Sequence, residues 1–467
     1  MKVPPLKSWY AGNPRNRLVS LTLEKAFVVV LLLYFAGALN MFLDPGGQAP
    51  QDAPSTPIQA MMQQRDRHKN ADPTEKNPTK LVAQVAIYLL AATLIWRRRE
   101  EYLELALRHK LLWALLALAM LSALWSEVPG FTLRRSLVVL ASTSIGVYLG
   151  VRYTMREIIR LICIAGGIAA MASLAVIVLR PDIGISSGAT DGAWQGIFGQ
   201  KNTLGEVMSL TTLAFAMAYF QEKRRGFMVG AVACFALLIL SRDASATLMT
   251  PLLVALVPIY NYGRKRSMSA APLLFALVGV VVAAVLFSVL GNAGQALQLM
   301  NKDTSLSGRT EIWSLVWQKF MASPWVGYGY SAFWLGAEGT QSADIWAAVH
   351  WPVPHSHNGF FDILADLGLA GFCLFFAGFI SCWRQAVRCA RLSKSWLGVF
   401  PLVYLTLMIL FNLSEGSILR QESIFWVLYA TTWVLTTRWL KLATSPTSQL
   451  TQTQFARVEA QPSVVSA

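Results

Sequence analysis

The sequence predicts an all-α polytopic membrane protein with about twelve transmembrane helices and one long external loop that contains short helices. Three observations predict it. Of the 467 residues, 55% are hydrophobic and only 14% are charged, against about one quarter charged in soluble globular proteins. Apolar runs of the length a helix needs to cross a bilayer recur along the chain. The basic residues between those runs gather at alternate connections.

The elements follow in chain order. A basic tail, 1–22, precedes the first apolar run and carries no convincing cleavage site, so an uncleaved first helix is expected at 23–43. Segment 44–80 is rich in Pro, Gln and Asp and reads as a mobile loop. Further spans are expected at 81–96, 111–125, 136–150, 158–179, 203–220, 227–241, 244–261 and 271–290. Several are short for a span. The 227–241 and 244–261 pair is joined only by Arg242 and Asp243, which form either a tight hairpin tip or a polar interruption within the membrane. Residues 291–359 make the long polar loop. Three spans follow at 360–382, 397–411 and 423–439, and the tail 440–467 is rich in Ser, Thr and Gln and reads as disordered.

Lys and Arg accumulate in cytoplasmic loops. With the N-terminus inside, Arg97-Arg98-Arg99, Arg152 with Arg156, Lys223-Arg224-Arg225, Arg264-Lys265-Arg266, and Arg384, Arg388, Arg391 and Lys394 all fall on the cytoplasmic side. Every short basic cluster lands on one face, which predicts an even number of spans and two cytoplasmic termini. The net charge of +15 therefore reads as topology rather than as a nucleic-acid surface. The five cysteines show no metal-ligand spacing and fall in no external loop, so neither a disulfide framework nor a metal site is expected. There is no phosphate-cradling Gly-Lys-Thr loop, which argues against ATP as the energy source, and no internal repeat of the kind transporters carry.

The unusual polar residues fall on the outer side: Arg134, Arg135, Lys201, Asn202, Arg242, Arg309, Glu311, His355, His357, Asn358, Asn412, Glu415, Arg420 and Glu422. Each taken alone reads as snorkelling at the interface. The set does not, because ionisable groups near a span must be paired, solvated or used. Arg309 is expected in the first turn of a helix whose apolar face is Ile312, Leu315, Val316 and Phe320. The helix dipole disfavours a cation there, so the arginine reads as a phosphate clasp, with a salt bridge to Glu311 or to another loop acid as the alternative. Asn358 is a candidate N-cap for the 360–382 span, and His357 beside it suits a general base. His355 shares the loop. Asp362 is the candidate for orienting a histidine. Arg242 either pairs with Asp243 or supplies a second phosphate-binding cation. Trp194 is a candidate stacking surface for a sugar, ahead of Lys201-Asn202 at a helix start. Glu415 and Glu422 are candidate partners of Arg420.

In this order the residues resemble the O-antigen ligase and polymerase superfamily, most nearly exopolysaccharide-production polymerases of the succinoglycan type. The stretches concerned are Trp125-Ser126-Glu127-Val128-Pro129, Phe198-Gly199-Gln200-Lys201-Asn202-Thr203-Leu204-Gly205, Leu240-Ser241-Arg242, Gly308–Trp313, His357-Asn358-Gly359-Phe360, Leu367-Gly368 and Asn412-Leu413-Ser414-Glu415. The resemblance implies a bacterial inner-membrane enzyme that moves a glycan from undecaprenyl pyrophosphate to an acceptor hydroxyl at the periplasmic face, without metal, nucleotide or other cofactor. By resemblance, Arg242 and Arg309 hold the pyrophosphate and His357 activates the acceptor, with His355, Lys201, Asn202, Trp194, Arg135, Glu311, Asn358 and Glu415 expected around the substrate. Asp243 beside Arg242, and His355 beside His357, leave the second cation and the base open. The expected partners are lipid-linked oligosaccharide donor and acceptor, membrane lipid, and chain-length regulator and export proteins; nucleic acid is not expected. The other readings are a ligase acting on lipid A–core and, from a different class, a polysaccharide or lipid-carrier transporter.

Overall fold

The computed structural model describes residues 14–43, 78–186, 192–264, 279, 309–335, 340–350 and 353–444. Among these the fold is all-helical, with a single isolated bridge between Ile185 and Trp194. The principal helices are α1 (Pro14–Phe35), α2 (Pro78–Arg97), α3 (Arg99–Ala106), α4 (Lys110–Leu121), α5 (Pro129–Arg152), α6 (Met155–Leu179), α7 (Lys201–Glu222), α8 (Arg225–Leu240), α9 (Ala244–Gly263), α10 (Arg309–Ala322), α11 (Gln341–Val349), α12 (Gly359–Leu392), α13 (Phe400–Asn412) and α14 (Ile424–Ala443). Every expected apolar segment that the structure describes is helical. Apart from residue 279, the segment 271–290 lies outside the described residues, as do the first loop from 44 to 77, the loop start at 291–308, and both tails (1–13 and 445–467).

Among the described residues, five helices are long and apolar enough to cross a membrane: α2, α6, α7, α9 and α12. A sixth is formed if α3 and the α4 segment, bent by 89°, act as one span. This is fewer than the twelve expected. Two expected spans, at 227–241 and 397–411, are short apolar helices. α5 and α14 have 24 and 20 residues, but arginines and lysine near their ends dilute their apolar character.

Burial places α13 and α14 at the centre, where Tyr404, Trp426 and Tyr429 are fully enclosed. α5 packs on α14, with Gly146 and Gly150 lying against the α14 backbone. α7 packs on α6, α8 and α9. A second, smaller core of Ile312, Val316, Phe333, Ile345, Trp346 and Val353 holds α10 and α11 together beside the bundle. The apolar face expected on α10 is thus the buried one.

α12 is broken. Gly368 has φ 61 and ψ −160, a conformation essentially reserved for glycine. The 324–329 segment is stitched into the break: Leu369 and Ala370 donate to the carbonyls of Pro324 and Trp325, while Tyr328 and Gly329 donate to those of Ala365 and Asp366. The break therefore loses no backbone hydrogen bonding, and it ties the loop helices rigidly to the bundle.

Polar contacts sort into two ends. At one end Arg152 pairs with Glu24, Arg160 with Glu222, and Arg438 donates to the carbonyl of Tyr153. There Arg264 also binds the carbonyls of Ser393, Lys394 and Ser395. The opposite end carries the starts of α7, α9, α10 and α12 and the 413–423 connection.

Candidate functional site

Two short segments are locked together to form the site. The first is 355–359. Ser356 donates its hydroxyl to the carbonyl of Asn358 at 2.7 Å, and the side chain of Asn358 accepts from Phe360 and Phe361 at 3.0 and 3.3 Å. Asn358 is thus the N-cap expected of it. These bonds support His357 at φ 53, a left-handed conformation uncommon for non-glycine residues. The second segment is 412–418. Buried Asn412 accepts from Ser417 and Ile418 at 2.8 and 3.1 Å and donates to the Met408 carbonyl at 2.6 Å. The two meet where only glycine fits: a Cβ on Gly359 would lie 2.0 Å from Asn412 Oδ1, and one on Gly416 2.5 Å from Asp362 Oδ2.

Glu415 sits at the junction. Its carboxylate lies 3.3 Å from His357 Nδ1 through either oxygen, 3.8 Å from His355 Nε2 and 3.5 Å from Arg309 Nη2, and it accepts from Asn202 Nδ2 at 3.0 Å. Arg309 also donates from Nη1 to the Ser414 carbonyl at 2.9 Å. Burial opposes the charge on Glu415, but the His357 hydrogen bond and the Arg309 guanidinium outweigh it and hold the carboxyl well below its usual range. An ionised carboxylate only accepts hydrogen bonds, so His357 Nδ1 carries a proton. In the neutral ring, Nε2 is then the free lone pair.

His355 is held the other way round. Its Nδ1 accepts from the backbone N–H of His357 at 3.2 Å, so the ring proton resides on Nε2, facing Glu415. Burial, with repulsion from Arg420 and His357, pushes its pKa down to about 3, and the ring stays neutral. His355, His357 and Glu415 place their ligand-type atoms within 4.8 Å of one another, close enough to hold a metal ion by spacing. The proton on His355 Nε2 and the Arg309 contact on Glu415 both oppose that use.

Other residues border this centre. Asp243 caps α9 by accepting from Ala246 at 3.1 Å. Burial raises its carboxyl to about 6, with Glu415 adding to the rise and Lys201 and Arg309 opposing it. Lys201 reaches the carbonyl of Arg242 at 3.5 Å. Glu206, one turn further along α7, feels the charges of Glu415, Asp243 and Arg420.

The structure thus gathers Arg309, His355, His357, Asn358, Asn202, Lys201 and Glu415. Several expectations need correction. Arg309 pairs with Glu415 rather than with Glu311, which is exposed on α10. Asp362 orients no histidine: it accepts from Ser356 N and Trp334 Nε1, both at 3.0 Å. Asp243 spends a carboxylate oxygen on its helix cap, and the Arg242 guanidinium lies against Gly192. Arg135 donates to Gln421 at 2.6 Å, in a neighbouring network. Trp194 packs on the main core. Neither candidate acid pairs with Arg420, since Glu422 accepts from Tyr34 and Gln84. Sequence reasoning did not single out Glu206 or the role of Asp243. The one available signal was an acid within an apolar helix.

Residues 227–376 match the O-antigen ligase family model, a stretch that includes Arg242, Arg309, His355 and His357. The chain is also similar to the exopolysaccharide production protein ExoQ of Rhizobium meliloti (strain 1021), with 26% identity over 269 residues, 55% of this chain. The similarity spans 60% of that relative's length. With its several membrane-length helices, the chain is a multi-pass membrane protein, and these two similarities are to the O-antigen ligase family and to an exopolysaccharide production protein.

Proposed function

We propose that this chain is a polysaccharide polymerase that joins repeat units carried on undecaprenyl pyrophosphate, at the periplasmic face of the bacterial inner membrane. The observation that carries the reading is the His357–Glu415–Arg309 contact set, an oriented imidazole and a guanidinium held by one carboxylate. In the proposed step, an acceptor hydroxyl loses its proton to His357 Nε2 while its oxygen attacks the anomeric carbon of the donor. The bond from that carbon to the phosphate oxygen breaks, and its electron pair leaves with undecaprenyl pyrophosphate. Arg309 stabilises the charge that develops on the leaving group, and Arg242 and Lys201 add positive potential from the neighbouring helix starts. Glu415 fixes the His357 tautomer and steadies the imidazolium as it forms. The activated donor supplies the driving force, so no nucleotide is required.

Asn202, His355 and Asn358 hold this framework. Chain-length regulator and export proteins are the proposed partners. A ligase that uses a lipid A–core acceptor would need the same donor site.

The test is reconstitution of the purified protein with a defined lipid-linked oligosaccharide, scored for new glycosidic bonds. Arg309→Ala should lower the rate by about 10²–10³ and His357→Ala by about 10²–10⁴, with protein level unchanged. Activity should persist in EDTA. Normal polymer from both variants would end the assignment, and activity lost in EDTA and restored by a divalent ion would make the His355–His357–Glu415 group a metal centre. Movement of intact donor across the bilayer without bond formation would favour the transporter.

A further inference from the structure

A second space adjoins the His357–Glu415–Arg309 centre. It is a cavity of about 390 Å³, bounded by the end of α1, the starts of α2 and α7 and the 416–425 segment. Ligand pockets typically enclose about 300–1,000 Å³. Its walls carry the polar groups of Asn40, Thr203, Ser417 and Gln421, with Phe198 and Phe425 supplying flat apolar faces. Glu206 lines it as well. Its side chain is half-buried and its carboxyl has no hydrogen-bond partner among the described residues. An ionisable group on a membrane helix must be paired, solvated or used, and the fields reaching Glu206 come mainly from two other acids, Glu415 and Asp243.

This chemistry is unlike that of the Arg309 side. The charged residues on its walls are mixed, Glu206 and Glu422 with Lys80 and Arg420, in contrast to the arginine-led set there. Amides, hydroxyls, a carboxylate acceptor and aromatic faces are the groups that bind a neutral sugar through its hydroxyls and its apolar ring face. The two spaces share a wall at Arg420, which lines the cavity and also acts on the buried His355 ring.

We propose that this cavity is the acceptor subsite, which takes the terminal sugar of the incoming saccharide, and that Glu206 accepts hydrogen bonds from its hydroxyls so that one of them faces His357 Nε2. The proposal rests on the polymerase reading above and adds the acceptor's place to it. Donor pyrophosphate beside Arg309 and acceptor sugar beside Glu206 then meet across Glu415 and Arg420.

The test separates acceptor from donor kinetics in the reconstituted full-length protein. Acceptor is a defined lipid-linked repeat unit, varied at saturating donor, and donor is then varied at saturating acceptor. Glu206→Ala should raise the acceptor KM about tenfold, as expected for losing a hydrogen bond and leaving the sugar hydroxyl unpaired, and leave the donor KM within about twofold. Glu206→Gln, which keeps the volume and one acceptor oxygen, should raise it less. Thr203→Trp, placed on a different wall, should block the acceptor while undecaprenyl pyrophosphate still binds. An unchanged acceptor KM in both Glu206 variants, or equal rises in donor and acceptor KM, would overturn the subsite. Full transfer by Arg309→Ala would instead overturn the underlying reading, whatever the Glu206 variants do.

Discussion

His355 and His357 have ring centroids 4.3 Å apart, yet the hydrogen bonds around them assign opposite tautomers. His357 turns a protonated Nδ1 to Glu415 and leaves Nε2 free; His355 spends its Nδ1 lone pair on a backbone N–H. This is the physical ground for choosing His357 as the base, and the sequence could not supply it, since the deciding carboxylate lies 58 positions away. What the sequence did carry was residue type in an improbable place: an arginine at a helix start and histidines beside a span. Two buried groups here also make stability depend on pH, with opposite signs. His355 has its pKa lowered from 6.5 to about 3, so between those values the unfolded chain binds a proton that the folded chain refuses. Its contribution is fully present above pH 6.5 and is lost as pH falls toward 3. Asp243 has its pKa raised from 3.8 to about 6, so the folded chain binds the proton more tightly. Its contribution is fully present below pH 3.8 and is lost as pH rises through 6. The two oppose each other over most of the same window. In melting experiments in detergent, His355→Gln should therefore gain stability relative to the parent as pH is lowered from 7 to 4, and Asp243→Asn, which keeps the cap acceptor, should lose it. Identical pH slopes in the parent and both variants would show that neither group is buried as described.

The break in α12 does at the scale of an element what the hydrogen bonds do at the scale of a residue. The apolar run at 360–382 announced a span, and a helix of 34 residues is present. Its interruption was not legible, because Leu367-Gly368 does not differ in composition from an ordinary helical pair. The conformation of Gly368 is set by what fills the gap, the 324–329 backbone some forty positions earlier, and a Cβ there would lie 2.5 Å from Trp325 C and Val326 N. Gly368→Ala is thus opposed twice, by a φ that alanine avoids and by a backbone that has no flexible end to move aside. We expect a loss of about 1–3 kcal/mol from strain alone, with the steric conflict adding to it. The 324–329 stitch should come undone before the bundle does. Proteolysis in membranes should then cut within 323–335 in Gly368→Ala but not in the parent, with transfer lost in parallel. A variant as resistant and as active as the parent would mean that this junction does not hold the loop helices in place.

At the scale of the whole molecule, the alternation of basic and polar connections was readable because each cluster repeats the same signal, and the structure sorts those connections onto two ends. The number of spans was less readable. A short apolar helix such as Arg225–Leu240 and a long helix with arginines near its ends, such as α5, look alike to a hydropathy count, and only packing separates them. Convergence of the site was legible only as a shared end; the cavity beside Glu206 was not, since it is made by four segments distant in sequence. The two-ended charge distribution does predict sidedness. The end rich in Arg97–Arg99, Arg152, Arg224 and Arg264 should face the cytoplasm, which puts Arg309, His357 and Glu415 outside. Four of the five native cysteines are buried, so the background for thiol labelling is low. In intact cells a membrane-impermeant maleimide should label Glu311→Cys, exposed at the site's end, and should leave Arg99→Cys unlabelled until the membrane is opened. The reverse pattern would put the base and the arginine in the cytosol, where a glycan already carried across the membrane on its lipid could not reach them. Polymerisation outside the cell membrane would then be excluded, however well the local geometry suits it.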